Sequence, residues 1–122
     1  MSRVAEASLT PEERRTLERF VELSRRELGS ELHAVWLYGS RARGEPPAEE
    51  SDVDLMVVTD YGWEDLSRLL KLMDQAADAA GAKSAFFSIH SYTPEHIAQR
   101  REIRSFFMQE VDSDKIVLAG DP

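Results

Sequence analysis

The chain contains no cysteine, which excludes a disulfide framework, a thiolate zinc site and a cysteine nucleophile, and fits a reducing compartment. It also lacks any run of about 18 apolar residues, the length a bilayer span requires. Its opening residues, Met1-Ser2-Arg3-Val4-Ala5-Glu6, have no apolar stretch of the kind a secretory leader carries. A cytoplasmic protein that engages no membrane is the expectation. Positive charge is scarce: 15 Lys and Arg stand against 23 Asp and Glu, for a net charge of -8. Sequence-independent nucleic-acid binding rests on cations that neutralise phosphates, so no strong nucleic-acid binding is expected beyond a local basic patch.

What is present suits one folded domain. A hydrophobic fraction of 42% is enough for a core and argues against disorder. A length of 122 residues fits a single domain over 1–122 with no room for a second. Oligomeric state is left open, a homo-oligomer included.

Thr10-Pro11-Glu12-Glu13 has the form of a capping box with proline at the first helical position, and Leu17, Phe20, Val21 and Leu28 recur at helical spacing up to Gly29. A helix over 11–28 follows, with Ser24 in the gap of the stripe. The short run 32–38, rich in Val35, Trp36, Leu37 and Tyr38, is expected to be a buried strand that Gly39-Ser40 ends. A polar loop with Pro46-Pro47 follows, and Glu45 to Glu50 is the expected flexible internal segment. The apolar run 53–58, interrupted by Asp54, is the second strand. Leu66, Leu69, Leu70, Met73, Ala76, Ala77 and Ala80 keep a helical period to Gly81 and predict a helix over 63–80. A strand over 84–91, a helix over 94–108 opened by Thr93-Pro94, and a short strand over 116–118 complete the order. That order predicts an α/β (α+β) domain, a mixed β-sheet backed by helices. The last helix takes its apolar side from Ile97, Ile103, Phe106 and Phe107, and Phe86, Phe87, Phe106 and Phe107 are expected in the core.

Asp52 and Asp54 open an apolar strand two residues apart, so their side chains leave one face about 6.6 Å apart along the chain. Two carboxylates so placed can hold a divalent cation; magnesium uses one or two carboxylates and completes its shell with water and substrate phosphates. Gly39-Ser40 lies where the preceding strand ends, and Arg41-Ala42-Arg43 can form a helical turn whose free amides point at an anion. Gly39 allows close backbone approach, Ser40 offers a hydroxyl, and Arg41 or Arg43 can neutralise charge on a nucleoside triphosphate. An Asp-x-Asp or a Gly-Ser turn alone is ordinary surface punctuation. It is the order strand, Gly-Ser, loop, Ser-Asp-x-Asp, strand that points to a nucleotide site.

Gly39-Ser40-Arg41-Ala42-Arg43-Gly44 followed by Ser51-Asp52-Val53-Asp54-Leu55 resembles the signature of the DNA polymerase β nucleotidyltransferase superfamily. Within it the chain is most similar to the minimal nucleotidyltransferases. The resemblance spans about residues 32 to 95. It implies that Gly39 and Ser40 contact phosphate and that Asp52 and Asp54 bind two magnesium ions. It also implies transfer of a nucleoside monophosphate, AMP from ATP, to a hydroxyl. In similar proteins the acceptor is often a HEPN-type toxin that the minimal domain neutralises as antitoxin, which makes a HEPN-type protein the implied partner.

The chain departs from that pattern at one place. Similar proteins carry a third carboxylate on a later strand, and counting back from Thr93-Pro94 the position falls on Ser88; no Asp or Glu occurs between Lys83 and Pro94. His90 shares Ser88's face by strand alternation and could serve as base or metal ligand. If nothing replaces the acid, the domain becomes a module that neutralises its partner by occupation. The spacing from Ser40 to Asp52 is also one residue longer than usual, an insertion expected in the Pro46-Pro47 loop.

His33 and His96 lack partners at zinc-ligand spacing and read as surface or capping residues. Arg100, Arg101 and Arg104 read as a solvated helical face, with a phosphate or an acidic partner face as the alternative. Trp63 reads either as packing or as an exposed ring near the cleft that stacks on a base.

Overall fold

The computed structural model describes residues 7–46 and 52–122; Ser51 and Pro47 therefore lie outside the described residues, as does most of the loop expected to hold the inserted residue. Thr10 caps the first helix as its sequence requires. Its hydroxyl accepts from the Glu13 amide at 3.1 Å while Glu13 Oε1 accepts from the Thr10 amide at 2.8 Å, and α1 runs Pro11–Leu28. The strands are β1 (Leu32–Tyr38), β2 (Val53–Thr59), β3 (Phe87–Tyr92) and β4 (Ile116–Gly120). α2 (Leu66–Ala80) crosses from β2 to β3, and α3 (Pro94–Glu102) and α4 (Phe106–Asp114) lie between β3 and β4.

The sheet order is β3-β2-β1-β4. β1 is antiparallel to both β2 and β4, and β2 is parallel to β3, as its helical crossover demands. This is the mixed, helix-backed α/β sheet expected of the sequence. Side-chain alternation divides the core in two. Val35, Leu37, Leu55, Val57 and Ile89 face α1 and α2, where Phe20, Leu69 and Met73 meet them. Ala34, Trp36, Tyr38, Met56 and Val58 face the other way, against Ile97 of α3 and Met108 and Val111 of α4. Trp36 fixes that second layer. Its indole donates to the Asp121 carbonyl at 2.7 Å, Lys115 Nζ stands 4.1 Å from its ring centre, and Asp112 ties Lys115 and Arg101 together beside it.

Three expectations are corrected. The helix over 94–108 is two helices, because Arg104 adopts a left-handed φ of 52° and Ser105 caps a new start, its hydroxyl accepting from the Met108 amide. Ile97 and Ile103 are six residues apart, about 240° around a helix, so one straight rod could not bury both. The break lets Met108 and Val111 reach the sheet and leaves Ile103, Phe106 and part of Phe107 exposed. Of the four phenylalanines expected inside, only Phe87 is buried. Residues 63–65 and 84–86 form 3₁₀ turns ahead of α2 and β3 rather than the first turns of a helix and strand. Among the described residues no helix is long and apolar enough to cross a membrane.

Leu37 has no exposed surface. Leu37→Ala is expected to lower the unfolding free energy in urea by ~2–5 kcal/mol. Leu70→Ala, at a position 45% exposed, should stay within ~0.5 kcal/mol; equal losses at the two sites would contradict the assignment of the core.

Candidate nucleotide and metal site

The end of β1 and the start of β2 are cross-strand neighbours, and everything at the site follows from their register. Tyr38 pairs with Asp54, and on the other side Asp54 pairs with Ser88 of β3. Paired residues share a face, so Tyr38, Asp54 and Ser88 form one row across three strands, on the side of α3 and α4. His90 lies two residues along β3 on that face, opposite Met56, with its ring centre 6.4 Å from that of Tyr38. Asp52, exposed, sits just outside β2, and Asp54 is half-buried.

Gly39 has a φ of 81°, and a Cβ built there would lie 2.6 Å from Asp54 Oδ2. Glycine is therefore required twice over, for the backbone angle and for the carboxylate that occupies the space of a side chain. Beyond it residues 40–44 turn tightly. The Arg43 amide donates to the Gly39 carbonyl at 3.1 Å and the Glu45 amide to the Ser40 carbonyl at 3.1 Å. The amides of Ser40 and Ala42 find no backbone carbonyl among the described residues, which leaves the turn with donors of the kind that hold an anion.

The two arginines expected to neutralise phosphate are arranged differently from that expectation. Arg41 is buried and turned toward α1. Its Nη1 donates to Glu13 Oε1 at 2.8 Å and to the Ser8 carbonyl at 2.7 Å, and its Nη2 to Glu13 Oε2 at 3.1 Å. A guanidinium so engaged anchors the turn to the first turn of α1, and its charge opposes the raised proton affinity of Asp54. Burial alone would raise the Glu13 carboxyl, but the hydrogen bonds from Arg41 and Thr10 outweigh it and hold the group below its usual range. Arg43 is half exposed and donates to Glu45 and, at 2.6 Å, to Asp114 Oδ2 of α4. Those two carboxylates hold it more firmly protonated than a solvated arginine.

Trp63 is 77% exposed but belongs to the turn after the far end of β2. Gly62 beside it packs on Thr93, and the Gly62 carbonyl accepts from Ser91 Oγ at 2.6 Å. The length of β2 separates it from the aspartates, so it is no part of this cleft. His33 Nε2 lies 2.6 Å from Asp60 Oδ1, and His96 accepts from Arg100 at 3.2 Å; neither is near the acid pair in the register. Arg101 is bonded to Asp112 rather than presented to a phosphate. Tyr38 went unremarked in the sequence as a site residue, although alternation from Trp36 puts it on the face of Asp54.

Among the described residues no group of three or more His, Asp and Glu side chains converges as a metal site. Asp52 and Asp54 nevertheless suit a cation. The Asp54 carboxyl is pushed above its usual range, first by burial and then by the charge of Asp52, with His90 and Arg41 opposing. A carboxylate that resists ionisation beside another is a donor set short of positive charge, and magnesium needs only one or two protein carboxylates when phosphates complete its shell.

Because the folded chain raises the proton affinity of Asp54, its ionised form opposes folding at pH values above the folded-state pKa, and the opposition disappears as acid protonates it. Asp54→Asn is therefore expected to melt at a higher temperature than the parent at neutral pH without divalent cation, with the difference shrinking on acidification. A lower melting temperature at neutral pH would contradict this account of the site.

A comparison with curated proteins finds no match. The model of the family described as Polymerase beta, Nucleotidyltransferase matches residues 22–117, which run from within α1 into β4 and include the Gly39-Ser40 turn, the aspartate pair and Ser88. The chain belongs to the polymerase β-like nucleotidyltransferase family.

Proposed function

We propose that this domain transfers the AMP moiety of ATP, with magnesium, to a hydroxyl of a partner protein, and that it does so as the antitoxin of a HEPN-type toxin. The observation that carries the transfer reading is the pair Asp52 and Asp54 beside a glycine turn with available amides, in a chain of nucleotidyltransferase family. The partner assignment rests on the resemblance of the Gly39–Gly44 and Ser51–Leu55 motifs to those of minimal nucleotidyltransferases.

In this reading Asp52 and Asp54 would hold magnesium, which when bound offsets charge on the triphosphate and on the leaving pyrophosphate. The turn at Gly39 and Ser40 orients the phosphates through backbone amides and the Ser40 hydroxyl. Arg43 reaches the same phosphates only by leaving Asp114 or Glu45. The acceptor oxygen attacks the α-phosphorus, the bond to the β-phosphate oxygen breaks, and the acceptor proton must go to a base. Ser88, opposite Asp54, is a poor base at neutral pH. On that face of β3 the imidazole of His90 is a better base than the hydroxyls of Ser88 and Tyr92.

The same Ser88 favours a second reading, in which the domain binds nucleotide or partner and neutralises the partner by occupation without transfer. Both are tested with ATP labelled at the α-phosphate, magnesium and a HEPN-type partner protein. Ser88→Asp restores a carboxylate in the row of Asp54 and is expected to raise transfer by about 10²–10⁴, the usual worth of general-base help. Asp52→Asn should abolish transfer and weaken magnesium-dependent ATP binding in calorimetry. If both the parent and Ser88→Asp are inert while ATP still binds, the occupation reading stands; if Asp52→Asn binds ATP and magnesium as the parent does, the metal assignment fails.

A further inference from the structure

The break between α3 and α4 leaves apolar surface that the fold does not use. Ile103 is 66% exposed, Phe106 76% and Phe107 37%, and exposed aromatics in a cluster mark interaction sites more often than single ones do. The patch is continuous with the acid row: Phe107 meets Tyr38 edge-on at 5.8 Å, and Tyr38 is the cross-strand neighbour of Asp54. On its other side Phe106 forms part of a groove of about 410 Å³ with Gln109, Glu110, Ser113, Asp114 and Arg43. Arg43 also belongs to the turn that follows Gly39, so the groove and the nucleotide turn share a wall.

The charge of this groove selects its occupant. Two carboxylates, Glu110 and Asp114, line the groove with Arg43, whose guanidinium is already held by Asp114 and by Glu45 beside the groove, and Glu110 has no ion pair among the described residues. A cation placed over the exposed ring of Phe106 would meet Glu110 one helical turn away, which joins a cation–π contact to an ion pair. A second copy of a chain with net charge -8 would bring like charge to this face.

We propose that the outer face of α4 docks a basic, lysine- or arginine-bearing segment of the protein acceptor, and that Phe107 guides the segment onward to the row Tyr38, Asp54, Ser88. The inference rests on the transfer reading for the identity of the occupant as acceptor, but the docking itself is measured without turnover. The expected order of contact is a basic side chain in the Phe106–Glu110 groove, apolar contact on Ile103 and Phe107, and a hydroxyl delivered beside Asp54.

The full chain, labelled for amide resonances, is titrated with the peptide KRLYKR and with its charge-inverted counterpart EDLYED. KRLYKR is expected to shift resonances of residues 103–114 and of Arg43, and EDLYED to leave them in place. Glu110→Lys and Phe106→Ser should each weaken KRLYKR binding by about tenfold, the scale of an interface hot spot. Asp74→Asn, on the exposed face of α2 across the sheet, should bind the peptide as the parent does. Equal shifts from both peptides, shifts centred outside 103–114, or a parent dimer in sedimentation that Phe106→Ser dissolves would each overturn the proposal. A chain that binds KRLYKR as described but never transfers nucleotide would leave the docking face standing and remove the transfer reading alone.

Discussion

A side chain at position 39 and the carboxylate of Asp54 cannot occupy the same place, and the chain resolves the conflict by having no side chain there. With glycine at the end of β1, the strand leaves the sheet at a positive φ and the turn folds back beside Asp54. The amides of the Gly39-Ser40 turn and the acid pair are thereby brought to one corner of the sheet although residues 45–51 separate them in sequence. Arg41 completes the constraint from behind, locking the turn to Glu13 and Ser8 on the other side of β1.

The elements that local chemistry specifies were legible in the sequence. Thr10 and Glu13 define the start of α1, and the apolar run into Gly39-Ser40 defines β1 with both its ends. The choice of Ser88 rested on the resemblance, whose third-acid position counts back from the Thr93-Pro94 helix start, and it is the register of β3 on β2 that sets Ser88 opposite Asp54. What was not legible depended on tertiary context. Phe106 and Phe107 look like core in a helical wheel, and only the left-handed Arg104 turns α4 so that Met108 and Val111 take that role. Arg41 looks like a phosphate ligand in the motif, and nothing in the sequence tells that Glu13, already engaged in a helix cap, would capture it.

The two faces of the sheet differ in a way that suits a site on one of them. The α1 and α2 side buries long aliphatic side chains from all four strands. The α3 and α4 side is a shorter layer held by Trp36 and its cations, and it covers Tyr38 but leaves Asp54 and Ser88 half-buried and His90 exposed beside it. There Asp52 stays in solvent and Asp54 half-buried, an acid with no ion pair among the described residues where a packed apolar residue would be more stable. Functional sites commonly break the rules that the rest of a domain obeys.

The location of the cation is the claim on which the chemical reading turns, and manganese reports it directly because its unpaired electrons broaden nearby amide resonances while its preference for carboxylate and phosphate oxygen resembles that of magnesium. With ATP present, the account predicts broadening centred on Gly39, Ser40, Asp54 and Ser88, and its loss in Asp52→Asn. Broadening centred on another face of the domain, or unchanged by Asp52→Asn, would contradict it.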